Sequence, residues 1–208
     1  MKTTFAFLSC ALSMSFYAHA QVFTPSPNNK LNKEEAVRML TAGSSTITGE
    51  VFARDNQGTL IPGVSILNTN EKQYARAGTE VALMPYTAYF QEYLKEFKKQ
   101  RNRGKSLLIP NEAVECMKFH KIGEGQKYVF DNLMPGKYFI YTSFGYVHQA
   151  TQTDVVGQTD HYVNGSYQGT TDMTRSYGVT VGAGVLVEKI ITIDKDGEVK
   201  KVTLKRTK

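Results

Sequence analysis

The chain has 208 residues, a formal net charge of +6 and two cysteines. Without residues 1–20 it would keep about 188 residues, a charge of +5 and only Cys116, which is enough for one domain with insertions or a tail. A single cysteine excludes an internal disulfide and a cysteine-based metal site, so the core must hold the fold together. The modest positive charge favours an acidic protein or an anionic envelope component as a partner, and nucleic acid is not expected.

Residues 1–20 have the pattern of a cleaved export signal. Lys2 precedes an apolar run, and Ala18-His19-Ala20 offers a signal peptidase site. The apolar run is shorter than the roughly 20 residues that a membrane-spanning helix needs. We therefore expect a protein that is periplasmic, on the cell surface or secreted, with no transmembrane segment after cleavage.

The N-terminal segment, residues 21–45, is predicted to contain one short helix. Its first part, residues 21–31, is rich in Pro and Asn and is typical of a flexible lead-in. Asn32 can cap a helix, Glu35 three residues later completes a capping-box pattern, and Gly43 can end the helix.

From Ser45 onward the pattern alternates, which is typical of short strands separated by turns. The strands are predicted at residues 46–52, 59–64, 78–84, 113–120, 127–130, 137–144, 179–192 and 198–205. An Asp-Gly turn at 196–197 predicts that the last two strands form a hairpin. The fold class is therefore predicted to be all-β: an antiparallel β-sandwich of about seven strands with one inserted amphipathic helix and the short N-terminal helix.

The inserted helix is predicted within residues 85–105. Its apolar residues fall at helical spacing and form one stripe: Tyr86, Tyr89, Phe90, Tyr93, Leu94 and Phe97. Such a stripe is typical of a face buried on a sheet. The alternative is a helix lying on a membrane surface, because a basic run continues it. The basic residues Lys95, Lys98, Lys99, Arg101 and Arg103 are the candidates for contact with an anionic partner.

Residues 145–178 form a second insertion, which is polar and poor in aliphatic side chains. It is predicted to be a long loop or an extended hairpin that projects from the body. Tyrosine together with Gly and Ser makes an adaptable contact surface. The candidate partner-binding residues are therefore Tyr146, Tyr162, Tyr167 and Tyr177, and the alternative is a loop without a binding role.

Three stretches resemble carboxypeptidase regulatory-like domains, a transthyretin-like β-sandwich group of seven strands. They are Gly49-Glu50-Val51, the stretch 77–83 and, most clearly, Leu133-Met134-Pro135-Gly136-Lys137-Tyr138. The resemblance implies a domain over residues 46–208, with insertions at 85–105 and 145–178. It also implies an extracytoplasmic binding or scaffolding role without naming a ligand.

Two enzyme families with related sandwiches provide no active site for this chain. The ending Leu204-Lys205-Arg206-Thr207-Lys208 differs from the Tyr-Arg-Gly-Ser ending of hydroxyisourate hydrolases, and His148 and His161 lack the spacing of the iron ligands in intradiol dioxygenases. No catalytic residue, cofactor or metal ligand is therefore predicted.

The sequence thus predicts a non-catalytic binding or assembly module of the bacterial envelope. One alternative is a structural subunit of a surface appendage or envelope complex. Another is a metal-dependent or hydrolytic enzyme built on the second insertion, where His148, Asp154, Asp160 and His161 are the available ligands.

Overall fold

The structure, a computed structural model, describes residues 21–54 and 72–206. Strands dominate it, as predicted for an all-β chain, and their bounds are β1 (Gln21–Val22), β2 (Ser45–Ala53), β3 (Gln73–Tyr74), β4 (Glu80–Pro85), β5 (Leu107–Leu108), β6 (Lys118–Lys121), β7 (Lys127–Leu133), β8 (Gly136–Val163), β9 (Ser166–Ile193), β10 (Val199–Lys201) and β11 (Leu204–Arg206). The helices are α1 (Lys33–Thr41), α2 (Ala88–Asn102) and α3 (Asn111–Val114). The predicted export signal and the strand predicted at 59–64 lie outside the described residues. None of these helices is long and apolar enough to cross a bilayer.

Two larger sheets carry the core. In the first sheet β2 is central, with β3 and β7 antiparallel to it and β10 and β11 parallel to it. The second sheet has the order β6-β4-β8-β9 and is antiparallel throughout. Side chains from both sheets fill one buried cluster, which includes Ile47, Tyr128, Leu83 and Ile140. The parallel pairs in the first sheet correct the prediction of a purely antiparallel fold.

The turn after β7 carries the chain from the first sheet to the second. Gly136 occupies the positive-φ region, at φ 153°, and a Cβ there would lie 2.9 Å from the end of the Met39 side chain. The Tyr138 hydroxyl lies within hydrogen-bond distance of the backbone oxygens of Met39 (2.8 Å) and Met134 (2.7 Å). These contacts fix helix α1 against the turn. Asn32 caps α1 as predicted, since its side chain accepts a hydrogen bond from the Glu35 amide at 3.1 Å.

The prediction that the last two strands form a hairpin is wrong. β9 pairs with β8 in the second sheet, whereas β10 and β11 pair with β2 in the first. The turn between them therefore connects the sheets, and its Asp196 carboxylate accepts a hydrogen bond from the Ser44 amide at 2.9 Å. An Asp-Gly turn reverses the chain locally, but the core decides which strand becomes the neighbour.

Helix α2 covers the outer face of the second sheet. Tyr89, Phe90, Tyr93 and Leu94 are buried and share a second cluster with Met84, Ala82 and Phe139 from the sheet. The prediction that the aromatic stripe packs on the sheet is confirmed. The alternative of a membrane-surface helix is contradicted, because the apolar face is already covered.

Two shorter predictions are also corrected. The strand predicted at 113–120 begins only at Lys118, because residues 111–114 form helix α3. Ala113 is buried on this helix, and the buried Cys116 lies in the turn that follows it. The N-terminal lead-in, which was predicted to be flexible, instead packs against the rest of the chain. β1 pairs with β5, and Phe23 packs edge-on against Tyr89 and Tyr93, with ring centroids 5.4 Å apart in both cases.

The second insertion is an extended hairpin, which is one of the two structures predicted for it, and not a long loop. β8 and β9 pair along their length of 28 residues each, and Asn164 and Gly165 close the turn with φ of 49° and 80°. Two consecutive positive φ values are what a two-residue hairpin turn of type I′ requires. We call residues 147–181 the arm. At roughly 3.3 Å per residue it extends about 55 Å beyond the body.

Candidate functional site

A cleft of about 620 Å³ opens where the arm leaves the body. One wall is the base of the hairpin, formed by Phe144–Val147 and Gly182–Gly184, and the other wall is β3 with Arg76 and Thr79. The glycines expose the sheet backbone, since a Cβ on Gly182 or Gly184 would meet nothing within 4 Å. The site therefore lies at the base of the arm, beside β3 of the first sheet.

Aromatic rings line this cleft. Phe144 and Tyr146 are 7% and 8% exposed, and the Tyr74 ring packs edge-on against Phe52 at 5.8 Å. The Arg206 guanidinium lies 4.8 Å from the centroid of the Tyr146 ring. Tyr146, a predicted partner-binding residue, is buried at the edge of the core and forms part of the wall of the cleft.

Gln73 joins the two walls of the cleft. Its side-chain amide donates to the Val147 carbonyl at 2.7 Å, and its oxygen accepts from the Val147 amide at 2.8 Å. The side chain therefore replaces one residue of a neighbouring strand at the free edge of β8. This bidentate pair fixes β3 relative to the arm and preforms the cleft.

One basic residue lines the cleft, and others lie close to its aromatic rings. Lys72 lies 4.5 Å from the centroid of Phe52 and forms a 2.8 Å ion pair with Glu50, which raises the pKa of Lys72. Arg76 is exposed in the cleft. Arg54, beside the Phe52 ring, has a buried Nε for which the described residues provide no hydrogen-bond partner. Guanidinium groups suit carboxylate and phosphate ligands, since they offer paired donors in a fixed plane.

His148 continues the row of rings onto the arm. It lies 5.8 Å from Tyr146 at an interplanar angle of 32°, and its Nδ1 is buried without a partner among the described residues. Sequence reasoning considered His148 only as a metal ligand. The described residues contain no group of three His, Cys, Asp or Glu that could hold a metal ion.

The other tyrosines predicted to bind a partner lie elsewhere along the arm. Tyr162 and Tyr167 form a cross-strand pair at its tip, 5.7 Å apart, with 62% and 56% of their surfaces exposed. Tyr177 is half-buried, and its hydroxyl donates to the Asp154 carboxylate at 2.8 Å. The arm therefore does not gather the predicted tyrosines into one surface.

The predicted basic cluster on α2 is partly neutralised. Glu188 of β9 forms ion pairs with Lys98, at 2.9 Å, and with Arg101, at 3.7 Å. Lys99 pairs with Glu96 at 3.1 Å. Lys95 and Arg103 have no ion pair among the described residues. The net positive charge of this surface is therefore smaller than the sequence of α2 alone suggests. The cluster lies beside Glu188 of β9, apart from the cleft.

Cys116 is an unreactive thiol in this environment. It is 1% exposed, its Sγ lies 3.5 Å from the Glu112 carbonyl oxygen, and burial raises its pKa. A thiol with a raised pKa holds little thiolate at neutral pH, and the thiolate is the nucleophile.

The comparisons with known proteins report a similarity of fold. No family model matches the chain, and no curated protein matches it. A crystal structure from Pseudomonas aeruginosa, described as that of a "putative carbohydrate binding protein", matches with a TM-score of 0.51 and 16% identity. The match covers 85% of this chain and 98% of the other. At this identity the two proteins share an architecture, and the comparison carries no binding residues across.

Proposed function

We propose that this chain is an exported, non-catalytic binding module of the bacterial envelope whose cleft takes a carbohydrate with anionic groups. The cleft between the arm and β3 carries the proposal, since it places aromatic rings, an amide and guanidinium groups around one opening. Aromatic faces accept the apolar C–H faces of sugar rings, while the polar rim orients their hydroxyl and acidic groups. The description of the Pseudomonas protein supports the same ligand class.

The proposal also includes the arrangement of the two sheets and the location of the protein. We infer that the two larger sheets form a face-to-face sandwich of about seven strands related to the carboxypeptidase regulatory-like domains, with α2 and the arm as insertions. Both sheets contribute to one core cluster, which supports this arrangement. Residues 1–20 supply the export signal, so the site of action is the periplasm, the cell surface or the medium.

Titration calorimetry with neutral and acidic oligosaccharides tests the ligand class. We expect the wild-type protein to bind an acidic oligosaccharide, and Tyr74→Ala and Arg76→Ala each to weaken binding at least tenfold. Arg175→Ala, which removes one arginine from the exposed arm, is the matched control and should bind like wild type. Absence of binding to every saccharide, or equal losses in Arg76→Ala and Arg175→Ala, would refute the proposed site.

A further inference from the structure

The outer edge of β9 is a long row of open backbone groups. β9 pairs with β8 alone among the described strands, so it forms one edge of the second sheet. On the arm this edge runs from Ser166 to Val179. Every second residue there directs its N–H and C=O away from β8, as in any edge strand.

This edge lacks the features that usually prevent strand pairing. Three other edge strands of the larger sheets carry lysines, namely Lys118 and Lys121 on β6, Lys200 and Lys201 on β10, and Lys205 on β11. Residues 166–179 contain neither lysine nor proline, and their charged residues are Asp172 and Arg175. Lysine and proline are the common means of blocking edge-to-edge association. The outer edge of β8 on the arm also lacks both, but residues 148–163 carry two aspartates and no lysine or arginine, whereas the charges on the β9 edge cancel. The β9 edge is therefore the arm edge that meets no like-charge repulsion from a second copy of itself.

The arm also has little to stabilise it as an isolated ribbon. Val155, Val163 and Met173 are 58%, 58% and 54% exposed, and neither buried cluster of the described residues contains a residue of the arm. A two-stranded ribbon alone is marginally stable in water, whereas three or more strands can be independently stable. Additional strands along this edge would therefore stabilise the arm itself.

We propose that the β9 edge of the arm pairs antiparallel with the same edge of a second copy of this chain. A strand edge is complementary to itself when turned about a two-fold axis, so one surface supplies both sides of the contact. Two arms then form a four-stranded sheet. The contact is separate from the cleft, which lies against β3 on the β8 side.

Charge favours the antiparallel arrangement. The arm contains three aspartates and one arginine and has a formal charge of −2, whereas the remainder of residues 21–208 has a charge of +7. Antiparallel pairing brings each acidic arm towards the basic body of the other copy. Parallel pairing would instead place acidic tip beside acidic tip.

The size of the contact predicts weak association. About 14 paired residues span about 48 Å, and a sheet about 10 Å thick would bury about 480 Å² on each copy. The total, about 1,000 Å², is at the lower limit for a specific interface. The dimer should therefore form in a concentration-dependent manner.

Two opposed hydroxyl residues provide a matched test. Thr153 on β8 and Ser176 on β9 face each other, are both exposed, and hydrogen-bond to one another at 2.8 Å. Thr153→Lys and Ser176→Lys thus lose the same hydrogen bond and gain the same charge, but only Ser176→Lys places lysine on the proposed interface strand. Sedimentation velocity over a concentration series measures the association.

We expect the wild-type protein and Thr153→Lys to dimerise alike, and Ser176→Lys to associate at least tenfold more weakly. A wild-type protein that stays monomeric at every concentration overturns the proposal, as does equal behaviour of the two variants. Circular dichroism establishes that both are folded. If either is not, Val155→Lys and Thr174→Lys, which also oppose each other across the two strands, repeat the comparison.

Discussion

The Tyr128 hydroxyl donates a hydrogen bond of 2.6 Å to the backbone carbonyl of Val202. Val202 is the first of the two residues between β10 and β11, and its own amide donates to the Thr48 carbonyl of β2 at 2.8 Å. Burial raises the pKa of Tyr128 far above its ordinary value, so the hydroxyl keeps its proton and remains a donor. One side chain from β7 thus reaches beneath β2 and fixes the C-terminal strands on its far side.

Tyr128→Phe should destabilise the protein by about 1–3 kcal/mol, because it leaves a buried carbonyl without its donor. Urea denaturation followed by circular dichroism measures the change. Tyr162→Phe removes a hydroxyl from the exposed tip of the arm and should leave the midpoint unchanged. Equal effects of the two substitutions would show that the Tyr128 contact is not a stabilising one.

Gly49 is required for the same contact. A Cβ at this position would lie 1.7 Å from the Val202 oxygen and 2.8 Å from the Tyr128 hydroxyl. Gly49→Ala should therefore cost about 3 kcal/mol or more, since the obstruction is backbone and cannot move aside easily. Gly182→Ala, another strand glycine with open space around it, is the control and should be tolerated. Normal unfolding of Gly49→Ala would contradict the close approach of the two strands.

The arm should be removable without loss of the body. His148 and Val181 face each other across the hairpin, so an Asn-Gly turn can replace residues 149–180 between them. We expect the shortened protein to unfold within about 1 kcal/mol of wild type, because the replaced segment contributes no residue to either buried cluster. Urea denaturation measures this, and failure to fold would mean that the arm stabilises the body.

Glu92 makes docking of the N-terminal segment dependent on pH. Its carboxylate accepts hydrogen bonds from the Asn29 side chain (2.8 Å) and from the amide and hydroxyl of Ser26 (3.0 and 2.8 Å), which lower its pKa below the ordinary 4.5. A lowered folded-state pKa stabilises the docked state above the ordinary pKa, and this contribution disappears as the pH falls through the folded-state value.

Hydrogen exchange of residues 23–30, expressed as protection factors, tests this dependence. Protection should be high at neutral pH and fall in acid. Glu92→Gln should show low protection across the same pH range. Wild-type protection that does not change with pH would contradict a docking role for the carboxylate.

Helices α1 and α2 were predictable because their signals are local. The cap at Asn32 and the aromatic stripe through Phe90 depend on residues a few positions apart, and packing agreed with both. The cleft was not predictable, since Gln73 and Val147 are 74 residues apart in sequence and nothing near either one indicates the other. For Tyr146, the tyrosine-rich composition of the segment predicted a contact residue, whereas the tertiary structure buries its side chain in the core cluster to which both sheets contribute.

The sequence by itself determined the strand-rich character, the turns and the buried face of α2, because periodicity and turn residues act over short distances. Only the tertiary structure decided which strands are neighbours. The turns after β7 and β9 look like hairpin turns, yet each joins different sheets, since burying both apolar faces in one core outweighs pairing with the adjacent strand. In the arm no core competes, so β8 and β9 pair directly as their local pattern favours.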